Sequence, residues 1–128
     1  MNEERESRPD PGGAVEFHGV SKKFGDHVVL DEVSFQVQRG TAFCLLGKSG
    51  MGKSVTLKLT IGLLSPDAGQ VIVQGERVHE LAPAALSALR RRMGFLFQQA
   101  ALFDSITVGE NVAFPLRRHT DWPDRKIR

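Results

Sequence analysis

The stretch that decides the fold reads Gly-Lys-Ser-Gly-Met-Gly-Lys-Ser and occupies residues 47–54. It fits the pattern Gly-x-x-x-x-Gly-Lys-Ser/Thr, the Walker A loop, in which glycines let backbone N–H groups approach phosphate oxygens closely. A helix that begins at the loop adds free N–H donors and a positive dipole end. Lys53 is expected to bridge the β- and γ-phosphates, and the Ser54 hydroxyl is expected to bind Mg²⁺. The predicted nucleotide cradle comprises Gly47, Lys48, Ser49, Gly50, Met51, Gly52, Lys53, Ser54 and Val55.

The segments on both sides of the loop favour this interpretation. Residues 42–46 are apolar at every position, which is typical of a central parallel strand covered on both faces. Cys44 lies in this run and is therefore expected to be a buried hydrophobic side chain rather than a nucleophile. Residues 53 to about 63 carry apolar residues at helical spacing. A glycine-rich turn without function remains the alternative interpretation.

The rest of the chain alternates between strand and helix patterns. Residues 1–13 hold six charges, two prolines and two glycines, and they are expected to form a flexible tail. Pro115 is expected to end or kink the last helix, which a Thr107–Glu110 capping box opens. Strands are predicted at 15–24 with a break at Gly19, at 28–30, 33–37, 71–73 and 95–97, and helices at 83–92 and from 107 onward.

Composition restricts the class of protein. The 128 residues predict one domain, and a formal charge of +2 gives no argument for a nucleic-acid partner. The longest strictly apolar run has five residues, whereas a membrane-spanning helix needs about 20. One cysteine and a charged amino terminus without an apolar core predict a reducing, cytoplasmic location and no secretory signal.

Several motifs in a fixed order resemble the ATPases of ATP-binding cassette (ABC) transporters. The resemblance extends from residue 15 to about residue 118, and it covers the Walker A loop and three flanking stretches. It implies an α/β P-loop NTPase fold of ABC type, with a central, mainly parallel sheet, helices and an N-terminal antiparallel β subdomain. Residues 14–128 would then form an incomplete ATP-binding domain. The flanking stretches are residues 17–35, 61–75 and 91–98.

The resemblance also implies roles for two further residues. Phe24 matches the aromatic position that stacks on adenine, and a phenyl face suffices for stacking. Gln98 matches the Q-loop glutamine, which reaches Mg²⁺ or the attacking water. Without the family context, Phe24 would be interpreted as a core residue and Gln98 as a surface amide. Met51 and Val55 depart from the usual residues at positions that supply no fixed side-chain contact.

Residues 98–104 and 107–119 most resemble the ATPases of lipid importers linked to MCE-type binding proteins, the Mla-type system among them. This resemblance implies an ATPase that uses ATP and Mg²⁺ to power transport of a lipid or another solute across a membrane. It also implies transmembrane permease subunits and a second ATPase subunit in a homodimer as partners. The location would be peripheral, on the cytoplasmic face of the inner membrane.

One departure from the family is large. The sequence up to Arg128 contains no signature loop, Walker B aspartate, catalytic glutamate or switch histidine. The run Val71–Val73 is followed by Gln74 and Gly75 before Glu76, so it is no substitute for an apolar strand ending in an acid pair. A module that binds ATP without hydrolysis is therefore the alternative function, and the chain alone is expected to be inactive. A P-loop kinase or a GTPase would require an acceptor site or selectivity for guanine.

Overall fold

The computed structural model describes residues 12–99 and 101–127. The described residues up to Met93 form one compact unit, and those from Gly94 onward form a second one. The predicted domain bounds, 14–128, stay a prediction. The predicted flexible tail lies mostly outside the described residues and stays a prediction. At its last position, Gly13 is buried, and its N–H donates to the Glu16 carboxylate at 2.9 Å.

The first unit is built on an antiparallel sheet. Its four strands are β1 (Val15–Phe24), β2 (His27–Val37), β3 (Ala68–Val73) and β4 (Glu76–Arg77), in the order β2-β1-β3-β4. Alternating apolar residues of β1, β2 and β3 point to one face and meet the two helices of this unit. The buried core comprises Phe17, Val20, Leu30, Leu59, Val71, Val73, Val78 and Leu89.

Strands β1 and β2 continue through the points where the sequence predicted breaks. Gly19 (φ 56°) and Glu32 (φ 47°) adopt left-handed conformations at irregular points of the strands. The Ser34 hydroxyl accepts the Gly19 N–H at 2.8 Å, and the Ser21 hydroxyl accepts the Glu32 N–H at 2.9 Å. Because these serines satisfy the N–H groups that the irregularities free from the ladder, each strand stays continuous.

Two helices cover the apolar face of this sheet. Helix α1 (Lys53–Thr60) follows the glycine-rich loop, and α2 (Pro83–Arg91) follows a short 3₁₀ helix (Val78–Glu80). Helix α1 ends three residues earlier than predicted. At its end the Gly62 N–H donates to the Leu59 carbonyl at 3.1 Å and the Leu63 N–H to the Lys58 carbonyl at 2.9 Å, the pattern of a Schellman motif.

Arg90 binds the end of α1 from the neighbouring helix. Its Nε donates to the Ile61 carbonyl at 2.8 Å, and a terminal guanidinium nitrogen donates to the Gly62 carbonyl at 2.9 Å. A cation at the carboxyl end of a helix also interacts favourably with the helix dipole. Arg90 therefore joins α2 to the helix that begins at the candidate phosphate loop.

Two predicted strands are wrong for this chain. Residues 42–46 lie outside every strand that the structure defines, and Cys44 is exposed rather than buried. Residues 95–97 are likewise not a strand, and the Leu96 side chain is 85% exposed. An apolar run forms a parallel strand only when neighbouring strands supply its hydrogen bonds, and the described strands pair antiparallel among themselves.

The second unit contains α3 (Val108–His119) and the short α4 (Asp124–Ile127). The predicted capping box is confirmed: the Glu110 N–H donates to the Thr107 hydroxyl at 3.2 Å, and the Thr107 N–H donates to the Glu110 carboxylate at 2.8 Å. Pro115 does not end the helix, which continues through it to His119. Among the helices of residues 12–99 and 101–127, none is both long and apolar enough to cross a bilayer.

Candidate nucleotide-binding site

Two glycines determine the backbone conformation of the glycine-rich loop. Gly50 (φ 83°) and Gly52 (φ 86°) both adopt a left-handed conformation, which side chains rarely tolerate. A Cβ at Gly52 would also lie 3.0 Å from side-chain atoms of Leu30 and Val29. A Cβ at Gly50 would meet no atom within 4 Å. Gly52 thus lets the loop pass close to β2, whereas Gly50 faces open space.

The amino end of α1 offers unpaired backbone donors. Gly52 is the N-cap residue, and it makes no side-chain capping bond to the first turn of the helix. Buried Thr56 fixes this turn instead, since its N–H and its hydroxyl donate to the Gly52 carbonyl at 2.8 and 2.9 Å. The first N–H groups of a helix without a cap form a ready anion site.

Lys53 holds the loop closed through its ammonium group. The Lys53 Nζ donates to the Gly47 carbonyl and, at 2.8 Å, to the Lys48 carbonyl. Both acceptors lie at the start of the loop, so the Lys53 side chain links the beginning of α1 to the beginning of the loop. The positively charged ammonium group therefore lies among the loop carbonyls. It can exchange these acceptors for the oxygens of a bound phosphate.

The neighbouring positions of the cradle differ in exposure. Ser54 is exposed at the start of α1, and Val55 is half-buried against the core. Lys48, Ser49 and Met51 are exposed along the loop. The exposed Ser54 hydroxyl could therefore bind magnesium, as the serine or threonine after the lysine of a P-loop does.

Phe24 lies at the carboxyl end of β1 with its ring 47% exposed. The Lys22 ammonium lies 5.4 Å from the centre of this ring, within the range of a cation–π interaction. The exposure disagrees with the core interpretation of this residue and fits a ring that is free to stack on a base. Gln98 lies in the second unit, in an exposed turn that follows residues 93–97.

An apolar cleft of about 570 Å³ opens beside the loop in the first unit. Phe35 of β2 and exposed Phe43 stack across it with ring centres 5.1 Å apart, and Phe35 stacks in turn on Phe17 at 4.5 Å. Lys53 and Ser54 line the cleft together with these apolar residues. The stacked rings anchor residues 42–46 beside the sheet, although no strand pairs with this segment.

These residues fit a nucleotide with magnesium. The uncapped helix end could supply donors for phosphate oxygens, Lys53 a positive charge, and Ser54 a neutral oxygen ligand. At Gly50, no atom lies within 4 Å of where a Cβ would be. Sequence reasoning missed Arg90, because no local pattern indicates a side chain that binds carbonyls 28 and 29 residues earlier in the chain.

Comparison with known proteins identifies the family of this chain. The family model described as ABC transporter matches residues 30–128, which include the entire loop. The chain belongs to the ABC transporter family, in its ATP-binding domain. The resemblance found in the sequence is therefore confirmed.

Curated members of this family include the intermembrane phospholipid transport system ATP-binding protein MlaF of Haemophilus influenzae. It is 40% identical over 114 residues, which cover 89% of this chain and 43% of MlaF. The methionine import ATP-binding protein MetN of Caulobacter vibrioides is 48% identical over 105 residues, which cover 80% of this chain and 32% of MetN. The ABC chain thus spans less than half the length of these relatives.

Solved ABC cassettes share the fold. A dimeric structure of the ATP-binding cassette MJ0796, described as a post-hydrolysis state bound to ADP and Pi, superimposes with a TM-score of 0.78 and 29% identity. The match covers 88% of this chain and 52% of MJ0796. The predicted fold class, an incomplete P-loop NTPase domain of ABC type, is confirmed. Its central parallel strand at residues 42–46 is the part that this chain does not form.

Proposed function

We propose that this chain binds ATP with Mg²⁺ and is the ATP-binding part of an ABC transporter subunit. The observation that carries the proposal is the loop of residues 47–54, which combines left-handed glycines, an uncapped helix end and a Lys53 ammonium bound to loop carbonyls. Membership of the ABC transporter family supports ATP as the nucleotide.

Each residue of the site contributes a separate part of the binding. The N–H groups at the start of α1 bind phosphate oxygens, and Lys53 exchanges the carbonyls of Gly47 and Lys48 for the β- and γ-phosphates. Ser54 contributes the hydroxyl ligand for magnesium, which when bound would neutralise phosphate charge. Gln98, in the second unit, has the Q-loop role that the family resemblance implies. Phe24 stacks on adenine, for which its exposed ring is suited.

In a complete subunit this binding would serve transport. Two ATPase subunits would form a homodimer on transmembrane permease subunits at the cytoplasmic face of the inner membrane. ATP hydrolysis would then power movement of a lipid or another solute. The similarity to a phospholipid transport ATP-binding protein, MlaF, and to a methionine import ATP-binding protein, MetN, supports a transporter, and MlaF supports a lipid as the transported solute. The dimeric MJ0796 cassette supports the paired arrangement.

For the 128-residue chain itself we propose ATP binding without turnover. Hydrolysis requires groups that orient water and hold the metal on the side opposite the lysine. The sequence contains no apolar strand that ends in an acid pair, so those groups are not supplied by this chain. This is the alternative function that the sequence predicted, and it agrees with ATP binding at the same loop.

The test is to measure binding and turnover on the same preparation. Fluorescence of a labelled ATP analogue should rise on binding to the chain, unlabelled ATP should compete more strongly than GTP, and steady-state phosphate release should stay at background. Sustained phosphate release would contradict the proposal of binding without turnover. Stronger competition by GTP would instead favour a GTPase.

A further inference from the structure

The turn between α1 and β3 is bonded to the end of β1, and Asp67 makes these bonds. One oxygen of its carboxylate accepts the Lys23 N–H at 2.8 Å, and the other accepts the Lys22 ammonium at 3.1 Å. The Asp67 N–H donates to the Ser21 carbonyl at 2.9 Å. One residue therefore binds three consecutive residues of β1, which lie directly before Phe24.

These bonds continue the hydrogen bonding of β1 beyond the point where its pairing with β3 ends. The pairing of these strands runs from Val15 to Ser21, whose partner is Ala68. Beyond Ser21, the Asp67 carboxylate takes the place of a strand carbonyl for the Lys23 N–H. On the other edge, β1 pairs with β2 to its end, but the register shifts twice between Val20 and Lys23. A strand end with irregular pairing gains most from a side chain that fixes it.

Lys22 extends this contact to the aromatic ring. Its ammonium binds Asp67 and also lies 5.4 Å from the centre of the Phe24 ring. The Lys22 side chain is only 14% exposed, so it is held along the strand rather than extended into solvent. The Lys23 N–H, followed by the Lys22 ammonium, lowers the pKa of Asp67, which is therefore ionised at neutral pH. The ion pair with Asp67 therefore keeps the Lys22 ammonium at a place from which it attracts the face of the Phe24 ring.

We propose that Asp67 is a positioning residue for the adenine site and holds Phe24 in the orientation in which it stacks on the base. This inference rests on the proposed binding of ATP and on the stacking role of Phe24. Asp67 contacts neither base nor phosphate in this account. Its place between α1 and β3 also connects the strand that carries the ring to the helix that begins at the phosphate loop.

The experiment compares two ligands that differ by the nucleoside. Calorimetry on the 128-residue chain would give dissociation constants for ATP and for inorganic tripolyphosphate, both with Mg²⁺. The ratio of the tripolyphosphate constant to the ATP constant isolates the contribution of the base and its sugar. Phe24→Leu should lower this ratio about tenfold, since base–aromatic stacking carries roughly that much affinity. Asp67→Ala should lower it about threefold and leave tripolyphosphate binding close to the wild-type value. In the double variant, Asp67→Ala should add nothing to Phe24→Leu.

Two further variants separate positioning from charge and from folding. Asp31→Ala removes an exposed carboxylate of β2, with the same change in net charge, and should leave the ratio unchanged. Asp67→Asn keeps an oxygen acceptor for the Lys23 N–H and removes the ion pair, so it should fold if Asp67→Ala does not and should lower the ratio by a smaller factor.

The outcomes distinguish this inference from the function on which it rests. If the wild-type chain binds neither ligand, the proposed ATP site is wrong and the inference is wrong with it. If the chain binds ATP but the Asp67 variants leave the ratio unchanged, only the positioning role is wrong. Additive effects of Asp67→Ala and Phe24→Leu would also overturn the positioning role, because two residues that act through one ring cannot contribute independently.

Discussion

Gly52 occupies a position at which a side chain would meet two separate obstacles. Its φ of 86° is strained for any residue with a Cβ, and that Cβ would lie 3.0 Å from atoms of Leu30 and Val29 and 3.1 Å from the Val29 carbonyl oxygen. Gly50 shares the first obstacle but not the second, since open space surrounds it. The two glycines of one loop therefore form a matched pair.

Gly52→Ala should lower the free energy of unfolding of the nucleotide-free chain by about 2–4 kcal/mol, because backbone strain and a close contact with β2 act together. Gly50→Ala should cost only about 1–2 kcal/mol, the cost of the left-handed conformation. Urea unfolding followed by circular dichroism measures both. Equal losses for the two variants would show that the contact with β2 contributes nothing.

His79 makes the free energy of unfolding depend on pH. The Nε2 atom of its half-buried ring is buried and has no hydrogen-bond partner among the described residues, and burial lowers the pKa of this histidine. The unfolded chain therefore takes up the proton at a higher pH than the folded chain. The contribution of neutral His79 to stability is fully present above about pH 6.5, the ordinary pKa of histidine. It is lost as the pH falls through the lower pKa of His79 in the folded state.

The free energy of unfolding of the wild-type chain should thus fall between pH 7.5 and pH 5. His79→Gln removes the titrating group and should show a smaller fall over the same range. Thermal unfolding of both proteins at several pH values tests this. Parallel curves for the two proteins would mean that His79 does not contribute to the pH dependence.

Helix α1 is held at both ends by groups outside the helix. At its amino end the glycine loop passes beside β2, and at its carboxyl end Arg90 binds the carbonyls of Ile61 and Gly62. Gly62 also lies close to α2 and the 3₁₀ helix, since a Cβ there would be 3.0 Å from Leu86 and 3.1 Å from Val78. The direction in which the helix points its free N–H groups therefore depends on contacts made at its far end.

Arg90→Gln should lower the free energy of unfolding by about 1–3 kcal/mol, because two charge-assisted hydrogen bonds are lost. Arg91→Gln changes an exposed arginine of the same helix and should cost less than about 0.5 kcal/mol. Chemical unfolding of the two variants side by side is the measurement. Similar values for both would mean that the bonds to α1 do not stabilise the chain.

At the scale of the whole molecule, the elements that the sequence predicted best are those specified by local pattern. The capping box at Thr107, the start of α2 at Pro83 and the glycine loop each depend on residues within a few positions of one another. Residues 42–46 could not be predicted in this way, because an apolar run becomes a strand only beside other strands.

The side chains that support the site could not be predicted from the sequence, for a related reason. Asp67 binds residues 44 and 45 positions earlier, and Arg90 binds residues 28 and 29 positions earlier. Contacts over such separations follow from how the strands and helices pack, and neither residue stands in a pattern that indicates its partner. The residues of the Walker A loop, in contrast, carry their chemistry in their spacing.

The exposed apolar segment leads to a prediction about the distribution of stability. Leu46 is 88% exposed and Leu59 is fully buried. Leu46→Ser should therefore change the free energy of unfolding by less than about 0.5 kcal/mol, whereas Leu59→Ala should lower it by about 2–5 kcal/mol. Denaturant titration of the two variants gives both values. A loss for Leu46→Ser as large as that for Leu59→Ala would mean that the Leu46 side chain is packed in solution.

The central claim is that the loop of residues 47–54 binds the phosphates of ATP through α1 and Lys53. Titration calorimetry of the 128-residue chain with ATP, with and without Mg²⁺, tests it most directly. If the loop binds these phosphates, we expect one saturable site that depends on Mg²⁺ and that Lys53→Ala weakens by at least about tenfold. No magnesium-dependent heat from the folded wild-type chain, or equal binding by Lys53→Ala, would contradict the account.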